Sequence, residues 1–225
     1  MHQTARPLRI ACLLGPVLVL SIAVAACSSP RGGQLLGVEV RSYEGERLDS
    51  VNDFVENSIK GPQDVDITAY RLAVNGLVSR PATYTYDQVV TGETTYTKVV
   101  QLDCVEGWSV KILWEGVLLS DLIDRAGPSA EATTVVFHAA DGYTTSLPLQ
   151  FIRDRKILLA YKMNGIAIPK ERGYPFMVVA EDHWGYKWAK WVTGIELSSD
   201  PRYLGYWETR GYSQSGIRSE SFYGR

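Results

Sequence analysis

The sequence predicts an α+β domain built from mixed β-sheets and short helices, and three observations point to it. Short apolar or alternating runs of strand length recur between turn signals such as Asn75-Gly76, Asp141-Gly142 and Asn164-Gly165. Only a few stretches place apolar residues at helical spacing, and those are short. Strands and helices do not alternate regularly and no internal repeat is present, which excludes a repeated βαβ wind.

In chain order, Arg6 and Arg9 precede an apolar run from Ile10 to Ala26, which closes on Val24-Ala25-Ala26-Cys27. Small residues before a cysteine read as a secretory signal of the bacterial lipoprotein type over 1–26, with Cys27 as the lipidated N-terminus. A proline inside so short a run disfavours a permanent membrane span. Ser, Pro and Gly after Cys27 give a flexible tether over 27–45, and the domain occupies 46–225. Arg6 and Arg9 do not form the adjacent arginine pair expected for export of folded proteins.

Within the domain, 51–58 reads as a loop or short helix. Ile67–Val78 alternates and reaches Asn75-Gly76, so it is a strand with a hairpin signal. Tyr86–Val90 is a short helix with threonine and aspartate nearby as caps, and Tyr96–Cys104 is the next strand. Leu118–Ala126 has helical spacing and stops at Gly127-Pro128. Thr133–Ala139 is a buried strand that turns at Asp141-Gly142 into Tyr143–Leu147, and Pro148 opens a short helix. Strands follow at Ile157–Met163, Pro175–Ala180 and toward Leu197.

Composition narrows the function classes. The 225 residues carry a net charge of -2 with 21% charged residues, which argues against nucleic acid or a polybasic membrane patch. Hydrophobic residues make up 45%, with 13 Tyr and 6 Trp, enough for a packed core with a lined cavity. Cys12 falls in the signal and Cys27 at the lipidation site, so Cys104 has no intramolecular partner. Two readings of that thiol stay open: a thiolate offered to a soft metal, or a buried cysteine acting as a small hydrophobe. His138 and His183 are the only histidines of the mature part, too few and too separate for a histidine zinc or haem site. A cysteine-nucleophile hydrolase lacks an identifiable histidine base.

The segment Cys104-Val-Glu-Gly-Trp-Ser109, with Trp114-Glu-Gly116 soon after, resembles the cysteine segment of the molybdopterin-binding domain of the sulfite oxidase superfamily. Its closest likeness is to the bacterial periplasmic branch, the protein-methionine-sulfoxide reductase catalytic subunits. FHAADGYTTSLP (137–148), LLAYKMNGIAIP (158–169) and RGYPFMVVAEDHWGYKWAKW (172–191) occur in the family's order, and the likeness covers roughly Asn52 to Leu197.

The resemblance implies a molybdenum pyranopterin dithiolene cofactor with Cys104 as metal ligand, and Glu106 and Trp108 tuning its surroundings. It implies cofactor contacts from Asn52, Asn57, His138, Arg172 and Gly185, and it sets Lys187 and Lys190 on the cofactor's phosphate. Without the family, those two lysines read as solvated charges between core tryptophans. Tyr161 matches a tyrosine beside the metal, with a strand tyrosine in the core as the other reading. Met177 replaces the family's usual arginine, and Ala139 stands where a hydroxyl is found. Glu56 occupies the place of an anion-binding arginine and argues against sulfite.

These expectations combine into an extracytoplasmic, lipid-anchored oxidoreductase of oxygen-atom transfer. It acts on a small molecule or an oxidised methionine, as a reductase of S-oxides or N-oxides or as an oxidase. It has no haem motif, so electrons pass through a separate partner, a membrane haem protein or a cytochrome. The alternative is a metal-free surface lipoprotein that uses the fold as a binding module. The expected signature is a cavity joining the Cys104 sulfur to Lys187 and Lys190.

Overall fold

The structure is a computed structural model and describes residues 38–224. The signal read at 1–26 and Cys27 lie outside the described residues. In the stretch read as tether, β1 (Ser42–Tyr43) and β2 (Glu46–Arg47) form a small hairpin through Glu44 and Gly45, both at positive φ. The chain is fastened to the domain earlier than the expected start at 46. Val40 N–H donates to Asn164 O at 2.9 Å, and the Glu39 carboxylate accepts from Val51 N at 2.6 Å and Asn164 Nδ2 at 2.9 Å.

The further elements are β3 (Leu72–Gly76), β4 (Ala82–Tyr84), α1 (Tyr86–Gly92), β5 (Thr95–Asp103), β6 (Ser109–Leu118) and α2 (Leu119–Ala126). They continue with β7 (Thr134–Ala139), β8 (Thr144–Pro148), α3 (Leu149–Asp154), β9 (Leu158–Met163), β10 (Ile166–Ala167), β11 (Met177–Val179) and β12 (Val192–Ser198). One five-stranded sheet runs β10-β9-β6-β5, with β11 also paired to β9; the other runs β4-β3-β12-β7-β8. Only the β3–β12 pair is parallel, which makes the sheets mixed.

Local chemistry explains the boundaries. Thr85 and Gln88 cap α1 reciprocally, satisfying two otherwise unpaired N–H groups. Gly127 ends α2 in the left-handed region at φ 66°, donating its N–H to Asp124 O. Asn164 and Gly165, at φ 48° and 80°, turn β9 into β10. The side chain of Asn164 is fully buried yet satisfied, since its Oδ1 accepts from Leu113 N at 2.9 Å and its Nδ2 donates to Glu39 and to Asp49 O. One apolar core spans both sheets and the helices, including Leu72, Ile112, Trp114, Leu122, Phe137, Phe176 and Ile195. About 25 cal/mol per Å² of apolar burial is the main favourable term for such a core.

Candidate active site around Cys104

β5 and β6 pair in register from Thr95↔Val117 to Asp103↔Ser109, so the five residues between them must turn tightly. Cys104 N–H donates to Trp108 O at 2.9 Å, Gly107 N–H donates to Cys104 O at 3.1 Å, and Gly107 takes φ 88°. The turn fixes Cys104 at the end of a central hairpin, 5% exposed. Its sulfur is lodged in a cavity wall, where Asn57 Nδ2 donates to Sγ at 3.3 Å. Burial pushes the Cys104 thiol up, with the Asn57 amide pulling against it.

The second wall comes from the segment after β11. A bridge between Asp103 and Trp184 lays Gly185–Lys187, a 3-10 turn, beside the cysteine. A Cβ on Gly185 would lie 3.4 Å from the Cys104 Cα, an ordinary contact, so the two backbones sit side by side without needing a glycine. Tyr143, Tyr186, Trp188 and Trp191 supply aromatic surface, and Tyr143 OH donates to Tyr186 O, tying β8 to the 3-10 turn. The enclosed volume is about 110 Å³.

Charges in the cavity are mixed. Lys190 Nζ lies 3.4 Å from Glu56 Oε1 and 4.7 Å from the Trp191 ring centroid. Burial pushes the Lys190 ammonium below the usual lysine range, and Glu56 opposes the shift. Burial raises the Glu56 carboxyl, but bonds from Ser58 and the Lys190 charge outweigh it and leave it low. The carboxylates of the lining itself are Asp141 and Glu106.

The structure brings Cys104, Asn57, Gly185 and Lys190 together around one cavity, and it places the other expected residues elsewhere. Lys187 is sealed beneath the 3-10 turn, 1% exposed, with Nζ 2.8 Å from Glu208 Oε1 and 3.1 Å from Gln214 O. Tyr161 is in the core of the first sheet, its hydroxyl 2.9 Å from Thr95 Oγ1 and its ring among Tyr86 and Phe176. Asn52 is exposed on the 3-10 turn Val51–Asp53, where its N–H is taken by Ser50. His138 pairs with Glu196 at 2.8 Å across β7 and β12. Arg172 donates to Val51 O at 3.2 Å and covers the Phe54 ring. His183 is buried, stands edge-to-face with Phe151 at 4.6 Å between ring centroids, and burial pushes its imidazole below the usual histidine range.

Sequence reasoning missed Ser58, Asp141, Trp207 and Tyr212, all of which line the cavity. The dense aromatics from Tyr203 to Tyr212 were the available signal for the last two. Tyr212 is close enough to Cys104 and Glu106 that their charges, after burial and Tyr223, push its phenol up.

A lone inward sulfur, an amide donor on it, a half-buried ammonium and aromatic walls suit a metal-bearing, anion-tailed heterocycle. Residues 59–207 match the family model "Oxidoreductase molybdopterin binding domain", and the chain belongs to that family, in the sulfite oxidase superfamily of enzymes. The uncharacterized oxidoreductase YuiH of Bacillus subtilis (strain 168) is 35% identical over 156 residues, 69% of this chain and 78% of that protein. The protein-methionine-sulfoxide reductase catalytic subunit MsrP of Ralstonia nicotianae is 29% identical over 57% of this chain, which spans only 43% of that relative. The sulfane dehydrogenase SoxCD from Paracoccus pantotrophus has the same fold, with a TM-score of 0.60 at 22% identity, covering 80% of this chain and 56% of that one.

The residues present fit the cofactor that this family implies. Besides the sulfur, the Asn57 amide and the Lys190 ammonium border the same cavity, so a soft metal ligand, a hydrogen-bond donor and a positive charge stand together there.

Proposed function

We propose that the chain is an extracytoplasmic molybdenum oxidoreductase, tethered through lipidated Cys27 to the outer face of the cell membrane, that reduces S-oxides or N-oxides by oxygen-atom transfer. The observation that carries the reading is the Cys104 sulfur, lodged in the cavity wall with the Asn57 amide on it. Cys104 would hold the metal, Asn57 would bond a polar atom of the cofactor, and Lys190 would neutralise anionic charge. When bound, the group supplies two-electron oxygen-atom chemistry.

The protein's own contribution is selection and exclusion. Burial pushes the Cys104 thiol up, which favours the protonated form until a metal takes the proton's place on the sulfur. Asp141 and Glu106 line the cavity beside its single lysine, Lys190, which Glu56 engages. With that one ammonium committed to Glu56 and the cofactor, the two carboxylates favour an uncharged oxide over a further small dianion as substrate. Electrons pass to the site from a separate partner, a membrane haem protein or a cytochrome, and oxidised methionine is among the substrates the chemistry allows.

The test is turnover with a reduced viologen dye as electron source, using protein from a host that makes the cofactor. Methionine sulfoxide or a small S- or N-oxide is expected to oxidise the dye, and Cys104→Ser to abolish this. The reverse reaction, sulfite-dependent reduction of an acceptor at a comparable rate, contradicts the reading.

A further inference from the structure

The stretch from Gly205 to Gly224 contains no strand and one 3-10 turn, Glu208–Arg210, and nearly all of it follows the family-matching residues 59–207. It lies across the 3-10 turn that flanks Cys104. Trp184 N–H donates to Gly216 O at 2.8 Å, Tyr186 OH to Ser213 O at 2.7 Å, Trp184 Nε1 to Glu220 O at 3.1 Å and Arg218 N–H to Asp182 O at 2.8 Å. Trp207 and Tyr212 from this stretch complete the cavity wall.

Its innermost hold is ionic. Glu208 Oε1 accepts from Lys187 Nζ and from Thr145 Oγ1, each at 2.8 Å, while Glu208 Oε2 is buried with no partner among the described residues. Gly216, at φ 64°, presses on the Lys187 methylenes so closely that a Cβ would meet Lys187 Cγ at 2.5 Å. Lys187 is thus enclosed by residues 208–216. A carboxylate with one unsatisfied oxygen in a buried site is an imperfect partner for an ammonium, so this latch can release.

We propose that residues 205–224 form a strap latched over the Cys104 cavity, with the buried Glu208–Lys187 pair as the latch. Loading the cofactor requires the strap to lift, and the strap afterwards covers what has been loaded. The inference rests on the cofactor-site reading for the identity of the ligand, but the latch itself is testable without any ligand.

The experiment uses the full chain made in a host that lacks the cofactor, with iodoacetamide as probe and the Cys104 peptide read by mass spectrometry. Alkylation then follows the population of the open form. Glu208→Gln, which keeps shape and removes charge, is expected to speed Cys104 alkylation about ten-fold and to expose 205–224 to limited proteolysis ahead of the rest of the chain. Arg218→Ala, which removes only the 3.2 Å surface pair with Asp103 at the strap's far part, is expected to speed it about two-fold. Unchanged alkylation in Glu208→Gln overturns the latch. Should that variant unfold as a whole, Arg218→Ala decides, and an unchanged rate there overturns it equally. Neither result depends on whether molybdenum is the ligand, so the strap and the cofactor reading fail separately.

Discussion

Lys187 and Lys190 stand three positions apart in one basic segment and end in opposite environments. Lys187 is sealed at 1% exposure with its ammonium on Glu208, whereas Lys190 faces the cavity, loosely held by Glu56 at 3.4 Å and the Trp191 face. Burial lowers both ammonium groups, and a carboxylate opposes the shift in each case. The difference shows that residue type and spacing do not decide which lysine faces the cavity. A distant segment decides it, by bringing a carboxylate and a close-packed glycine to one of the two.

The largest effect is expected from breaking the sealed pair. Glu208→Leu leaves Lys187 buried and uncompensated, and urea unfolding should show a loss of about 3–5 kcal/mol. The double variant Lys187→Met/Glu208→Leu should recover most of it, because two apolar side chains replace the pair without an orphan charge. A single-variant loss below about 1 kcal/mol would erase the contrast between the two lysines.

Lys190→Met should cost far less stability, about 1 kcal/mol or under, because its pair with Glu56 is partly screened by water. Its effect belongs in cofactor content: pterin released from the purified protein and read by fluorescence should fall several-fold while the unfolding midpoint barely moves. An unchanged pterin content would remove Lys190 from the site.

A smaller effect is expected at the cysteine end. Burial holds the Cys104 thiol above its ordinary range, so alkylation of the cofactor-free protein should still climb with pH where an ordinary thiol, near about 8.5, has levelled off. The Asn57 amide favours the thiolate, so Asn57→Ala should move the midpoint of the rate against pH upward. A midpoint that moves down would mean that the amide does not stabilise the thiolate.

Much of the fold was legible because it rests on local rules. The turns at Asn164-Gly165 and Asp141-Gly142, the stop at Gly127 and the cap at Thr85 are each set by the conformational needs of one or two residues. Cys104 was legible for a different reason: counting thiols leaves it without a partner. Lys187 was misplaced because its partner Glu208 lies 21 positions on, in a stretch with neither strand nor helix periodicity. Tyr161 was misplaced because a motif gives a strand position without saying which face it occupies, and here that face packs on Phe176 and meets Thr95. The hold on the chain before residue 46 was not legible, because Glu39 and Val40 meet Asn164 across more than 120 positions, a contact no local pattern shows.

The most direct test is the molybdenum and pterin content of the purified chain and of Cys104→Ser, both made in a host competent for cofactor synthesis. The wild-type chain should carry both in near-equal amounts, and the serine variant should lose most of its metal. Equal metal in the two proteins, or neither metal nor pterin in the wild type, would contradict the assignment of Cys104 as the ligand on which the site is built.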